Sequence, residues 1–213
     1  MKESLLAPSC SQPALSDLHP LEELYARRGG AASIVQTNSA SLDLITEFYA
    51  RRGQAALFWA PIEAAAVPEP YRSLLVHWTD MTSTLENFYK EKLRVQVLAR
   101  HLSGQDYFRE VVLRLDPSGR RVAYGATRVR LGLVPAEVRQ EILREGEPLG
   151  RVLTESGVAF SSRPRAYAQI VPDDFINRSL DLAGPQFLYG RRNTLLDPWE
   201  RTLADIVEIL PPA

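Results

Sequence analysis

The spacing of apolar residues changes period near residue 92. Before it, Asp80-Met81-Thr82-Ser83-Thr84-Leu85-Glu86 and the residues that follow fit a helix, with Thr82 or Ser83 as its cap and Glu86 in its first turns. After it, apolar positions recur every second residue. Leu93, Val95, Val97 and Ala99 share one face of 93–102, and Tyr107, Val111, Leu113 and Leu115 share one face of 107–115. Asp116-Pro117-Ser118-Gly119 is a turn sequence, and 120–132 reads as the returning strand. The three segments predict an antiparallel meander. A helix is predicted over 134–148, entered at Pro135 and stopped at Gly146. Residues 158–171 read as extended, 172–183 as a short helix, and 187–196 and 202–212 as two closing runs split by Asp197-Pro198. Strands interspersed with helices, without regular alternation, favour an α+β single domain on an antiparallel sheet.

The first 80 residues follow a different pattern. Residues 1–19 are rich in Ser and Pro and read as loose, and 20–79 read as a helical N-terminal extension ahead of a core at 80–213. Two short helical patterns, 21–30 and 41–54, both end in Tyr-Ala-Arg-Arg-Gly. Gly29 and Gly53 stand where a left-handed cap is wanted, and the arginines suit the negative end of the helix dipole. Residues 55–80 hold an apolar stretch, a Pro-punctuated turn and a short helix at 70–78.

Composition narrows the function classes. The chain has 213 residues, 45% hydrophobic and 24% charged, with a formal net charge of -1. Such a balance disfavours disorder and a basic nucleic-acid-binding domain. No apolar run approaches the roughly 18–20 residues that span a bilayer, and the N-terminus does not read as a signal peptide, so a cytoplasmic place is expected. A single cysteine, Cys10, excludes an intrachain disulfide framework, and His19, His77 and His101 lack metal-like spacing. No nucleotide loop, dinucleotide fingerprint or nucleophile elbow is present, so no cofactor and no metal are expected. Only Lys2, Lys90 and Lys92 are lysines, leaving 22 of the 25 basic residues as arginine, the residue suited to bidentate carboxylate binding.

Two residues break the alternation. Arg109 falls on the face of Tyr107, Val111, Leu113 and Leu115, where a permanent charge costs several kcal/mol unless paired. It therefore needs an anion nearby, either a structural acid or a ligand. Glu208 alternates with Ala204, Ile206 and Leu210, whereas Asp205 keeps company with Leu203, Val207 and Ile209, so periodicity leaves open which acid is buried. The simplest structural arrangement pairs Arg109 with Glu208.

Six short motifs occur in one order: Asp80-Met81-Thr82 with Thr84-Leu85-Glu86; Arg109-Glu110-Val111-Val112-Leu113; Gly125-Ala126 with Arg128; Pro148-Leu149-Gly150; Leu188-Tyr189-Gly190-Arg191-Arg192; and Val207-Glu208-Ile209-Leu210-Pro211-Pro212. In this order they resemble chorismate lyases, in particular a diverged bacterial branch, over roughly residues 80–212. The resemblance implies an antiparallel sheet of about six strands, helices on one side, and helical flaps over an internal cavity. It implies conversion of chorismate, a dicarboxylate, to 4-hydroxybenzoate and pyruvate. Arg109 would clamp a carboxylate and Glu208 would be the buried general acid, with Met81 and Leu149 at the flaps. The family's second cavity arginine is replaced by Ala126, and Arg128, two residues along the same strand face, is the candidate to take its role. The same fold also serves as the effector-sensing domain of bacterial transcription regulators, which makes a non-catalytic aromatic-acid binder or sensor the alternative. Neither reading fixes an oligomeric state.

Overall fold

The computed structural model describes residues 43–183 and 186–212. The segment 1–19, the first Tyr-Ala-Arg-Arg-Gly with Gly29, and Cys10 and His19 lie outside the described residues. The described chain is α+β, built on one seven-stranded antiparallel sheet. Its strands are β1 (Phe58–Ile62), β2 (Lys92–Ser103), β3 (Asp106–Asp116), β4 (Arg121–Arg130), β5 (Ser161–Val171), β6 (Leu188–Leu196) and β7 (Thr202–Leu210), in the spatial order β1-β5-β6-β7-β4-β3-β2. The expected meander is β2-β3-β4, and Gly119, at φ 73°, closes the β3–β4 turn. β1 is the strand missing from the sequence reading. It carries Pro61 opposite Ala168, which an edge strand tolerates because one of its sides bears no ladder bonds.

Strands β3, β4 and β7 are buried on both faces, and alternation separates the two layers. On one face α1 (Asp43–Arg51) and α6 (Asp174–Leu180) bury Ile45, Phe48, Tyr49, Ile176 and Leu180 against Phe108, Tyr124, Ala126, Val207 and Ile209. On the other, α2 (Tyr71–Leu75) and α3 (Met81–Tyr89) pack Leu74, Leu75, Met81 and Leu85 against Leu93, Leu115 and Leu210. Beside them α4 (Ala136–Arg144) and α5 (Leu149–Glu155) pack Val138, Ile142, Leu149 and Leu153 against Tyr107, Val129 and Leu195. Residues 43–79 thus contribute a helix, an edge strand and a short helix to the same folded body.

Two helix ends differ from expectation. The cap of α3 is Asp80, whose carboxylate accepts from the Ser83 N–H at 2.9 Å; Thr82 and Ser83 already lie within the helix. Helix α4 ends at Arg144, and the left-handed residue that caps it is Glu145, at φ 62°, rather than Gly146. The Glu145 carboxylate, which accepts from the Tyr107 hydroxyl and pairs with Arg100, holds that strained residue in place.

Candidate functional site

Strand β3 places Arg109 opposite Thr127 of β4, on the face covered by α3 and α5. Its side chain borders a cavity of about 60 Å³ together with Met81, Leu149, Gly125, Asn193 and Glu208. By that measure the space holds a few water molecules or one small anionic group. The roof consists of the first turns of α3 and α5. Gly150 makes their contact possible: a Cβ there would lie 2.8 Å from Asp80 Oδ1 and 3.0 Å from Thr82 Oγ1.

Arg109 is 3% exposed, and its Nε and Nη1 are buried without a hydrogen-bond partner among the described residues. Burial pushes its guanidinium below the ordinary arginine value, and the Tyr107–Glu145 pair nearby offsets this only in part. An arginine does not neutralise itself by losing its proton, so the two N–H groups are an unmet demand for an acceptor.

Glu208 is buried at the same cavity, but it does not pair with Arg109. Its Oε2 accepts from Arg191 Nε at 2.6 Å, and Arg191 is fully buried. Arg191 Nη1 donates to the Leu75 carbonyl at 3.0 Å, which ties β6 and β7 to the end of α2. The His77 ring stands beside it, with Nδ1 3.4 Å from Nη1. Burial, then the neighbouring Arg191, pushes His77 down. Gly190 allows the close approach of β6 and β7 here, since a Cβ would lie 2.5 Å from the Glu208 carbonyl oxygen.

Periodicity left open which acid of β7 is buried, and in fact both are. Asp205, on the opposite face, is buried, pairs with the half-buried Arg128 and accepts from the Thr194 hydroxyl at 3.3 Å. Arg128 does not line the Arg109 cavity. Gly125 and Thr127 point into that cavity, so alternation turns Ala126 and Arg128 away from it, and Arg128 borders a separate space with Asp43, Glu47 and Arg192. The structure thus gathers Arg109, Glu208, Met81 and Leu149 around one cavity and leaves Arg128 outside it.

Sequence reasoning missed four residues. Arg191 and Asn193 share a face of β6, and that alternation was the available signal. Glu110 is fully buried between Phe108 and Val112; it accepts from Arg52 Nη2 at 3.1 Å and from the Tyr124 hydroxyl. Arg52 itself, expected as a solvated helix end, stacks on the Phe175 ring at 4.0 Å and is the partner of Glu110.

No protein-family model and no curated protein sequence matches the chain. Solved structures do match. PhnF from Mycobacterium smegmatis aligns at 14% identity and TM-score 0.50, over 63% of this chain and 64% of that one, so the chain spans just under two thirds of that structure. The effector domain of PhnF aligns at 14% identity and TM-score 0.50, over 62% of this chain and 87% of the domain. The fold resembles that of the PhnF effector domain. A GntR-family transcriptional regulator from Bacillus cereus aligns at 15% identity and TM-score 0.43, over 56% of this chain and 92% of that one. At these identities the likeness is one of fold.

These matches correct the expectation of a lyase. At TM-score 0.50 the resembled structures are PhnF and the effector domain of PhnF, and neither is a lyase by its description. At the site, one Glu208 oxygen, Oε2, is engaged by Arg191 as an acceptor. Among the described residues, no helix is long and apolar enough to cross a membrane.

Proposed function

We propose that this chain is an effector-sensing domain that takes a small carboxylate-bearing molecule into the Arg109 cavity without transforming it. One observation carries the reading: Arg109 borders the cavity, and its buried guanidinium has no hydrogen-bond partner at Nε or Nη1 among the described residues. A planar guanidinium receives a carboxylate through two parallel hydrogen bonds, from Nη2 together with either Nε or Nη1, which fixes orientation as well as charge. The cavity has room for the carboxylate itself, and its apolar lining, Val111, Leu113, Leu149, Leu195 and Ile206, suits a ligand whose remaining surface is hydrocarbon, such as an aromatic acid whose ring extends beyond the cavity. Glu208, held by Arg191, then acts as a fixed acceptor in the wall rather than as a proton donor.

Calorimetric titration with 4-hydroxybenzoate, benzoate and chorismate tests this. Saturable binding is expected, with each ligand recovered unchanged and no pyruvate above spontaneous decomposition. Arg109→Met should weaken binding by tenfold or more, because a hydrogen bond to a charged group contributes about 1.5–3 kcal/mol. Undiminished binding by Arg109→Met would remove the cavity from the account.

A further inference from the structure

A second concentration of arginine lies at the β3–β4 turn, on the face of Glu110 rather than of Arg109. Arg94, Arg114 and Arg121 are paired in register across β2, β3 and β4, forming one rung of three like charges. Like charges directly opposite one another destabilise a sheet. Arg94 is neutralised by Asp116, at 2.6 Å. Arg114 and Arg121 form no ion pair among the described residues, nor does Arg120 in the turn beside them.

All three are nevertheless held in place, each by a backbone carbonyl. Arg114 Nε donates to the Gly119 carbonyl at 3.2 Å. Arg120 Nη2 donates to the Pro212 carbonyl at 3.2 Å and lies over the Tyr89 ring. Arg121 Nη1 donates to the Arg178 and Ser179 carbonyls, at 2.6 and 3.2 Å, at the negative end of α6. A carbonyl orients a guanidinium without cancelling its charge, and each arginine keeps further N–H donors. The three border one open groove of about 290 Å³, whose other walls include Leu180, Leu182, Pro211 and Pro212 and whose one acid among the described lining residues is Asp181.

We infer that this groove is a second binding site, for a phosphate-bearing small molecule. Three fixed guanidiniums match an anion with three acceptor oxygens, and the net positive lining leaves a charge for the ligand to compensate. The prolines and Leu182 give an apolar flank for the organic part. The site lies on the sheet face opposite the Arg109 cavity and does not depend on the reading of that cavity.

The test is a titration of the full chain with inorganic phosphate and pyrophosphate at constant ionic strength, with chloride as control, read by calorimetry and by Tm. Saturable binding is expected, tighter for pyrophosphate, and it should persist in Arg109→Met. The variant Arg114→Gln/Arg120→Gln spares the contact of Arg121 with α6. It should lose tenfold or more in affinity, since each charge-assisted contact contributes about a factor of ten. Its Tm without phosphate should hold or rise, because a repulsion is relieved. No saturable binding by the parent chain, or equal binding by the double variant, would overturn the inference. A lower Tm in the double variant would show that the arginines are structural and would also overturn it.

Discussion

Arg109 and Glu110 are consecutive residues of β3, both buried, and they meet opposite circumstances. Glu110 faces α1 and α6 and is fully supplied: Arg52 reaches it from the end of α1, and the Tyr124 hydroxyl donates from the neighbouring strand. Burial and the Glu110 charge together push the Tyr124 hydroxyl well above its ordinary value, which keeps it a donor. Arg109 faces α3 and α5 and is supplied with nothing by the described residues at Nε or Nη1. A satisfied buried charge holds elements together, whereas an unsatisfied one marks a place where something else belongs.

Substitutions test that contrast, beginning with the largest effect. Glu110→Ala strands Arg52 and the Tyr124 hydroxyl and leaves a void under α1; it should cost about 3–5 kcal/mol in denaturant unfolding. Arg191→Met strands Glu208 in the same way, but Glu208 borders the cavity, where water reaches it. A loss of about 3 kcal/mol is therefore expected, at the lower end of that range. Arg109→Met should leave stability unchanged or raise it, because an unpaired buried charge gives way to an apolar chain of similar length, while ligand binding weakens by tenfold or more. If Arg109→Met destabilises as much as Arg191→Met, the distinction between the two faces of β3 collapses.

The smallest effect concerns pH. His77 has a folded pKa below its ordinary value, so the unfolded chain binds the proton more readily. Its contribution to stability is full above about pH 6.5 and is lost as pH falls toward the lowered folded value. The Tm difference between the parent chain and His77→Gln should therefore shrink on acidification through that window. A difference that is constant with pH would mean that His77 has the same pKa in the folded and unfolded states.

Much of this arrangement was legible in the sequence, and the exceptions share a cause. Period two revealed β2, β3 and β4, and the charges that interrupt it, Arg109 and Glu208, are the ones at the cavity. Periodicity reports the face a residue occupies, not its partner. Hence Glu208 was matched to Arg109 when its partner is Arg191, and Arg128 was matched to the cavity when Asp205 holds it on the other face. Glu110 was concealed because β3 is buried on both sides, so neither face reads as polar. Strand β1 was concealed by Pro61, which is harmless only at a sheet edge, and edges are a property of the assembled fold. The left-handed end of α4 went to Glu145 rather than Gly146 because tertiary partners fix its carboxylate.

The unpartnered guanidinium of Arg109 also bears on selectivity. Its desolvation is completed when the chain folds, so it contributes equally to every ligand that enters. What then separates one anion from another is the cost of stripping the ligand's own hydration shell. Charge spread over a carboxylate attached to a greasy ring is shed from water more readily than the compact charge of a phosphate. A host of this kind ranks its guests by how weakly water holds them.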